Sequence, residues 1–137
     1  MAEQVKFELV SPERLLLSAA VESVVIPGAE GDFGVLPGHS RLISTIRPGV
    51  ITVFQGGRAV DRIFVEGGFA EVTPESCTVL AEHATPVADI SRDQAAQAVQ
   101  DAREDIEDSK DDAAKSEAAK TLAVAEARMR AVEAPAY

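Results

Sequence analysis

Through residue 87, apolar residues come in short runs that stop at Gly or Pro. Val5, Phe7 and Leu9 alternate with Lys6, Glu8 and Val10 until Ser11-Pro12 breaks the run. Residues 21–26 end at Pro27-Gly28, residues 35–36 at Pro37-Gly38, and residues 42–46 at Pro48-Gly49. Residues 50–54 end at Gln55-Gly56-Gly57, a turn that joins them in a hairpin to residues 59–65. Two further runs, 69–72 and 77–81, follow Gly67-Gly68 and Thr73-Pro74. Strands this short and this regularly punctuated predict an all-β sandwich or barrel. Several runs are apolar on both faces, as expected of strands caught between two layers. No run before residue 88 leaves room for crossover helices, which excludes a parallel βαβ architecture.

Near residue 88 the pattern changes period. All nine Gly, all five Phe and six of the seven Pro lie before it, and Ala and charged residues dominate after it. Ser91 followed by Gln94 has the spacing of a capping box and opens a first helix. Ala95, Val99, Ala102 and Ile106 recur every three or four residues as its apolar stripe. Residues 108–112 form the turn, with an Asp or Ser capping a second helix. Ala114, Ala118, Leu122, Ala125, Met129 and Val132 are that helix's stripe. The expected fold is therefore α+β: an antiparallel β-sandwich over 1–87, then an antiparallel α-helical hairpin over 88–137. The stripes are mostly Ala, whose methyl groups bury little area, so the hairpin is expected to be a weakly held, mobile appendage.

With 46% hydrophobic residues the chain can build a packed core. Its formal charge of −10 repels phosphate backbones, so nucleic acid is not an expected ligand; the acidic balance reads first as a solvated surface and second as suited to docking on a basic partner. No apolar run approaches the ~20 residues that cross a bilayer, so direct membrane insertion is not expected. The N-terminal residues carry no signal-peptide or transit-peptide pattern, which points to a cytoplasm-like compartment.

Candidate chemistry is sparse. His39 and His83 are the two imidazoles, and no spacing suits a Zn site, so no metal or cofactor is expected. Cys77 sits in an alternating run and reads as a buried small hydrophobe rather than a nucleophile. No nucleophile elbow or Walker-type loop is present. The densest unusual stretch runs from Pro27 to His39. Its Gly and Pro residues serve a connection between strands, while Glu30, Asp32 and His39 on a stiff exposed turn suit recognition. Composition leaves these two readings level.

The stretch Val24-Val25-Ile26-Pro27-Gly28-Ala29-Glu30-Gly31-Asp32-Phe33-Gly34-Val35-Leu36-Pro37-Gly38-His39 resembles the signature of the ε subunit of bacterial F-type ATP synthases, called δ in mitochondria. Leu9-Val10-Ser11-Pro12-Glu13, Ile46-Arg47-Pro48-Gly49, Val65-Glu66-Gly67-Gly68-Phe69-Ala70-Glu71-Val72 and Val79-Leu80-Ala81-Glu82 agree in order and spacing. The resemblance covers about residues 5–85 by motif and the remainder by architecture.

What the resemblance implies is a sandwich of about ten strands at the foot of the central stalk. That subunit binds γ and the polar loops of the c-ring, rotates with both and couples proton flow to ATP synthesis on other subunits. Glu30, Asp32 and His39 become the expected partner contacts. The complex would lie on the cytoplasmic face of the bacterial inner membrane as a peripheral assembly. In many members the hairpin extends into the catalytic α/β head and inhibits hydrolysis through basic residues. Here residues 88–137 hold twelve Asp/Glu against seven Lys/Arg, so weakened inhibition is expected, with Arg128 and Arg130 as the candidate contacts. Some members bind ATP through an Ile/Leu-Asp-x-x-Arg-Ala motif; this chain has Ile90-Ser91-Arg92-Asp93-Gln94-Ala95. Ser replaces Asp and Gln replaces Arg, and a shifted register offers only Asp89 and Arg92. Helix capping accounts for Ser91 and Gln94 without nucleotide. The second reading is a free-standing β-sandwich adaptor with a partner-binding helical tail, and an enzyme is the third.

Overall fold

The computed structural model describes residues 3–133. The chain divides into two compact units, one ending at Pro86 and the other opening at Val87. The first holds ten strands: β1 (Val5–Val10), β2 (Leu15–Val21), β3 (Ser23–Gly28), β4 (Gly31–Val35), β5 (Leu42–Ile46), β6 (Gly49–Gln55), β7 (Arg58–Val65), β8 (Gly68–Val72), β9 (Ser76–Ala81) and β10 (Ala84–Pro86). The second holds a 3-10 turn (Val87–Asp89) and two helices, α1 (Arg92–Asp108) and α2 (Asp112–Glu133).

The strands pair in the order β10-β7-β6-β3-β5-β8-β9-β1-β2, and β4 pairs with β3 off this path. The far end of the order returns to β6, third from its other end: Gln55 Nε2 on β6 donates to the Ala20 carbonyl on β2 at 2.7 Å, and Glu22 N–H donates to the Phe54 carbonyl at 3.2 Å. Folded over in this way, the sheet encloses one core. Alternation places Val5, Phe7 and Leu9 of β1 inside, with Cys77, Val79 and Ala81 of β9. Val24, Ile26, Ile51, Val53, Val65 and Val72 complete its centre. Each fully buried side chain of this kind contributes roughly 1.5–3 kcal/mol, so this alternation is the unit's main source of stability.

The architecture agrees with the sandwich of about ten strands, and four details differ from the sequence expectation. β2 is a strand of its own; its seven residues carry no charge and no regular alternation to mark it. Residues 31–35 form β4 instead of a loop, and Pro27-Gly28 lies inside β3 opposite Asp32 and Gly31. Proline is tolerated there because its missing N–H is not required, while its carbonyl accepts the Arg47 N–H at 3.0 Å. β10 was also not marked. Finally, β1 pairs with β9 in parallel, Phe7 beside Cys77 and Leu9 beside Val79. No crossover helix is needed, because the intervening strands make the return connection themselves.

In the second unit Ser91 Oγ accepts the Gln94 N–H at 3.3 Å, and Asp111 Oδ1 accepts the Ala114 N–H at 2.7 Å. Both expected caps are in place. On α1, Ala95 and Ala102 are buried and Val99 and Ile106 half-buried, so its stripe is as the spacing predicts. On α2 the buried residues are Ala125, Ala127 and Ala131. Ala127 and Ala131 lie off the expected stripe and Ala114 is exposed. With Ala on every side of α2, periodicity does not single out one face. Arg103 of α1 reaches Glu126 of α2 at 3.7 Å.

Candidate functional site

The β3–β4 hairpin pairs Pro27 with Asp32 and Gly28 with Gly31, leaving Ala29 and Glu30 at its tip. Gly28 is dictated by space: a Cβ there would lie 2.8 Å from the Gly31 carbonyl oxygen and 2.9 Å from the Phe33 ring. A Cβ on Gly49 would lie 2.8 Å from the Pro27 Cβ, so Pro27 seats against a bare backbone. Between these two glycines stands Arg47. Its Nη1 donates to the Gly28 carbonyl at 2.6 Å, and its Nη2 meets Asp32 Oδ1 at 2.5 Å. Ala29 N–H donates to the Thr45 carbonyl at 2.9 Å. Two sequence motifs that look independent thus form one cluster.

The Arg47 and Asp32 side chains are 41% and 33% exposed, so solvent screens the pair. A pair this exposed adds about 1 kcal/mol at most. Its consequence is geometric: it pins the tip. Glu30 stands exposed at that tip.

His39 is elsewhere. Its Nδ1 donates to the Ser40 carbonyl at 2.7 Å, and the preceding Gly38 N–H donates to the Pro74 carbonyl at 2.8 Å. β5 begins at Leu42, opposite Val72, and ends at Ile46, opposite Gly68. Ile46 is also the residue that meets Gly28. His39 therefore precedes the Leu42 end of β5, whereas Gly28 and Ala29, at the base of the Glu30–Asp32 tip, meet Ile46 and Thr45 toward the other end. The structure brings Glu30 and Asp32 together and leaves His39 apart.

A feature the sequence reading missed is an apolar row on the sheet's outer face. Phe69 on β8 lies opposite Leu80 on β9, Leu80 lies beside Val10 on β1, and Val10 lies opposite Leu15 on β2. Phe69 is 57%, Leu80 47% and Leu15 54% exposed. The runs that are apolar on both faces were expected to lie between two layers; here their outward residues are open. Gly68 allows the row to form, since its φ is +125° and a Cβ would fall on the Leu80 carbonyl.

The remaining candidates do not converge. Asp89 closes the 3-10 turn and Arg92 opens α1, both exposed. Arg128 is half-buried and Arg130 exposed on α2; two residues apart, they point roughly 200° from each other around the helix. Cys77 is fully buried, and burial pushes its thiol up to about 12. Among the described residues no three His, Cys, Asp or Glu gather to hold a metal, and no helix is long and apolar enough to cross a membrane.

Comparison with known proteins bears on the same residues. The family model for the β-sandwich domain of the ATP synthase delta/epsilon chain matches residues 4–87. The ATP synthase epsilon chain of Rhodospirillum rubrum is 51% identical over 131 residues, covering 96% of this chain and 98% of the relative. That of Maricaulis maris is 51% identical over 134 residues, covering 98% and 99%. Among solved structures, a chain of the Euglena gracilis mitochondrial ATP synthase OSCP/F1/c-ring assembly matches with a TM-score of 0.85 at 27% identity, covering 95% of this chain and 82% of that one. Identity at this level over nearly the whole length, in the same fold, makes the chain a member of the ATP synthase delta/epsilon chain family.

Proposed function

We propose that the chain is a non-catalytic central-stalk subunit of a proton-translocating F-type ATP synthase, joining γ to the c-ring and turning with both. It works at the cytoplasmic face of the bacterial inner membrane, held to the membrane through its partners. The Glu30–Asp32 tip meets the polar loops of the ring, and His39, at the other end of β5, belongs to a separate contact. The observation that carries this reading is the rigid, exposed, acidic tip built from family motifs that lie apart in sequence. An acidic tip is complementary to basic loops and steers association. The Phe69–Leu80–Val10–Leu15 row, exposed but for the half-buried Val10, supports a second, apolar grip on a protein partner.

The hairpin regulates weakly. Its charge is acidic, its two candidate arginines face different directions, and Ser91 is engaged as a helix cap.

Co-purification tests the assignment. The tagged full chain is expected to come away with γ and the c-ring from detergent-solubilised membranes, and Glu30→Lys is expected to weaken ring attachment selectively. A chain that captures neither γ nor the ring, or that shows turnover alone, overturns the assignment.

A further inference from the structure

We infer that Arg47 is a positioning residue for the partner contact, holding the Glu30 tip in a fixed place; this rests on the proposed docking of that tip to the c-ring. The need for such a residue follows from the topology. Among the described residues β4 pairs with β3 alone, off the main strand path, and β3 meets β5 at the single pair Gly28–Ile46. The tip is therefore a flap supported by one strand. Arg47 grips the end of this hairpin at three points, two on β3 and one on β4: its N–H to Pro27 O at 3.0 Å, Nη1 to Gly28 O at 2.6 Å, and Nη2 to Asp32 Oδ1 at 2.5 Å. The adjoining Ala29–Thr45 bond at 2.9 Å fixes the residue before Glu30.

The two acids thus differ in role. Asp32 is engaged with Arg47 and orients the flap, whereas the Glu30 carboxylate is the charge presented at the tip. A planar guanidinium presents two N–H groups in a fixed fork to the Gly28 carbonyl and the Asp32 carboxylate; an ammonium is a point charge on a flexible stem and holds the two less firmly. A tip ordered before encounter avoids the ordering cost of binding, and a loosened one incurs it.

The test measures equilibrium binding of full-length variants to a purified γ–c-ring subcomplex, beside thermal unfolding and amide exchange at Ala29. Arg47→Met is expected to bind about tenfold more weakly, with its unfolding midpoint within a few degrees of the parent. Ala29 exchange should accelerate in it while the amides of Phe7 and Val79 stay protected. Arg47→Lys should fall between Arg47→Met and the parent in both binding and exchange. If Arg47→Met does not fold, Arg47→Lys decides on the same two readouts. Binding by Arg47→Met within twofold of the parent, while Glu30→Lys loses tenfold, overturns the positioning role and leaves the tip contact standing. Unchanged binding in both variants removes the tip contact itself, and the positioning role with it.

Discussion

Ser91 Oγ accepts the Gln94 backbone N–H at 3.3 Å, so the Ser91 side chain is already engaged in opening α1. Ser91 and Gln94 occupy the positions at which some family members carry the Asp and Arg of an ATP motif. Losing a charge-assisted contact forfeits ~1.5–3 kcal/mol, about tenfold or more in affinity for each. Calorimetric titration of the isolated protein with ATP should therefore give at most millimolar binding. Ser91→Ala should cost the helical unit about 1 kcal/mol and leave that weak binding unchanged. Micromolar binding would mean that Asp89 and Arg92 build a site of their own.

A chain ending at Val87 should unfold in a single cooperative transition. Among the described residues the sandwich core runs from Val5 to Ala81, and the partly buried side chains packed on it end at Ala84. Urea unfolding followed by circular dichroism checks this. An insoluble or non-cooperative fragment would show that the helices belong to the core.

Removing residues 88–137 from the assembled enzyme should raise ATP hydrolysis only slightly while ATP synthesis persists. Residues 88–137 carry twelve acids against seven bases, and Arg128 and Arg130 leave α2 roughly 200° apart. Hydrolysis and synthesis rates in membrane vesicles read the outcome. A large release of hydrolysis would mean that inhibition survives the acidic surface.

Cys77 should resist alkylation in the folded protein and react on unfolding, because it is fully buried and its thiol is raised to about 12 from an ordinary 9.0. Between those two values the unfolded chain loses the thiol proton and the folded chain keeps it. The stabilising contribution is thus full below pH 9 and falls as pH rises toward 12, by up to about 1.4 kcal/mol per pH unit. Comparing denaturant stability with Cys77→Ala from pH 8 to pH 11 isolates it. The difference between the two proteins should shrink with rising pH, and a constant difference would contradict the shift.

Much of the fold was legible because neighbours in sequence fix it. The alternation of β1, the Gly56-Gly57 turn between β6 and β7, and the Ser91 and Asp111 caps all depend on residues a few positions apart. β2 and the parallel β1–β9 pair depend on distant partners, and no local pattern announces them. The site divides the same way. Glu30 and Asp32 could be singled out as charges on a glycine-rich stretch, but the grip of Arg47 on Asp32 spans fifteen positions and appears only when β5 is laid beside β3. Phe69 and Leu80 are a different case. An apolar residue on each face of a strand has the same sequence pattern whether the second face is covered or left open.

The parallel seam between β1 and β9 also sets a timetable. β1 can pair early with β2 through the Ser11–Arg14 turn, but its other edge has no partner until residues 76–81 have been made. At ~5–20 residues per second, the roughly 70 intervening residues take on the order of 4–14 s to synthesise. Throughout that interval Val5, Phe7 and Leu9 lack half the wall that will bury them. Closing the seam is a long-range event whose entropic cost rises only slowly with loop length, yet it comes late for every copy made. Until the seam closes, a nascent chain carries β1 with one edge unpaired, so its partly made forms present a β-edge to their surroundings.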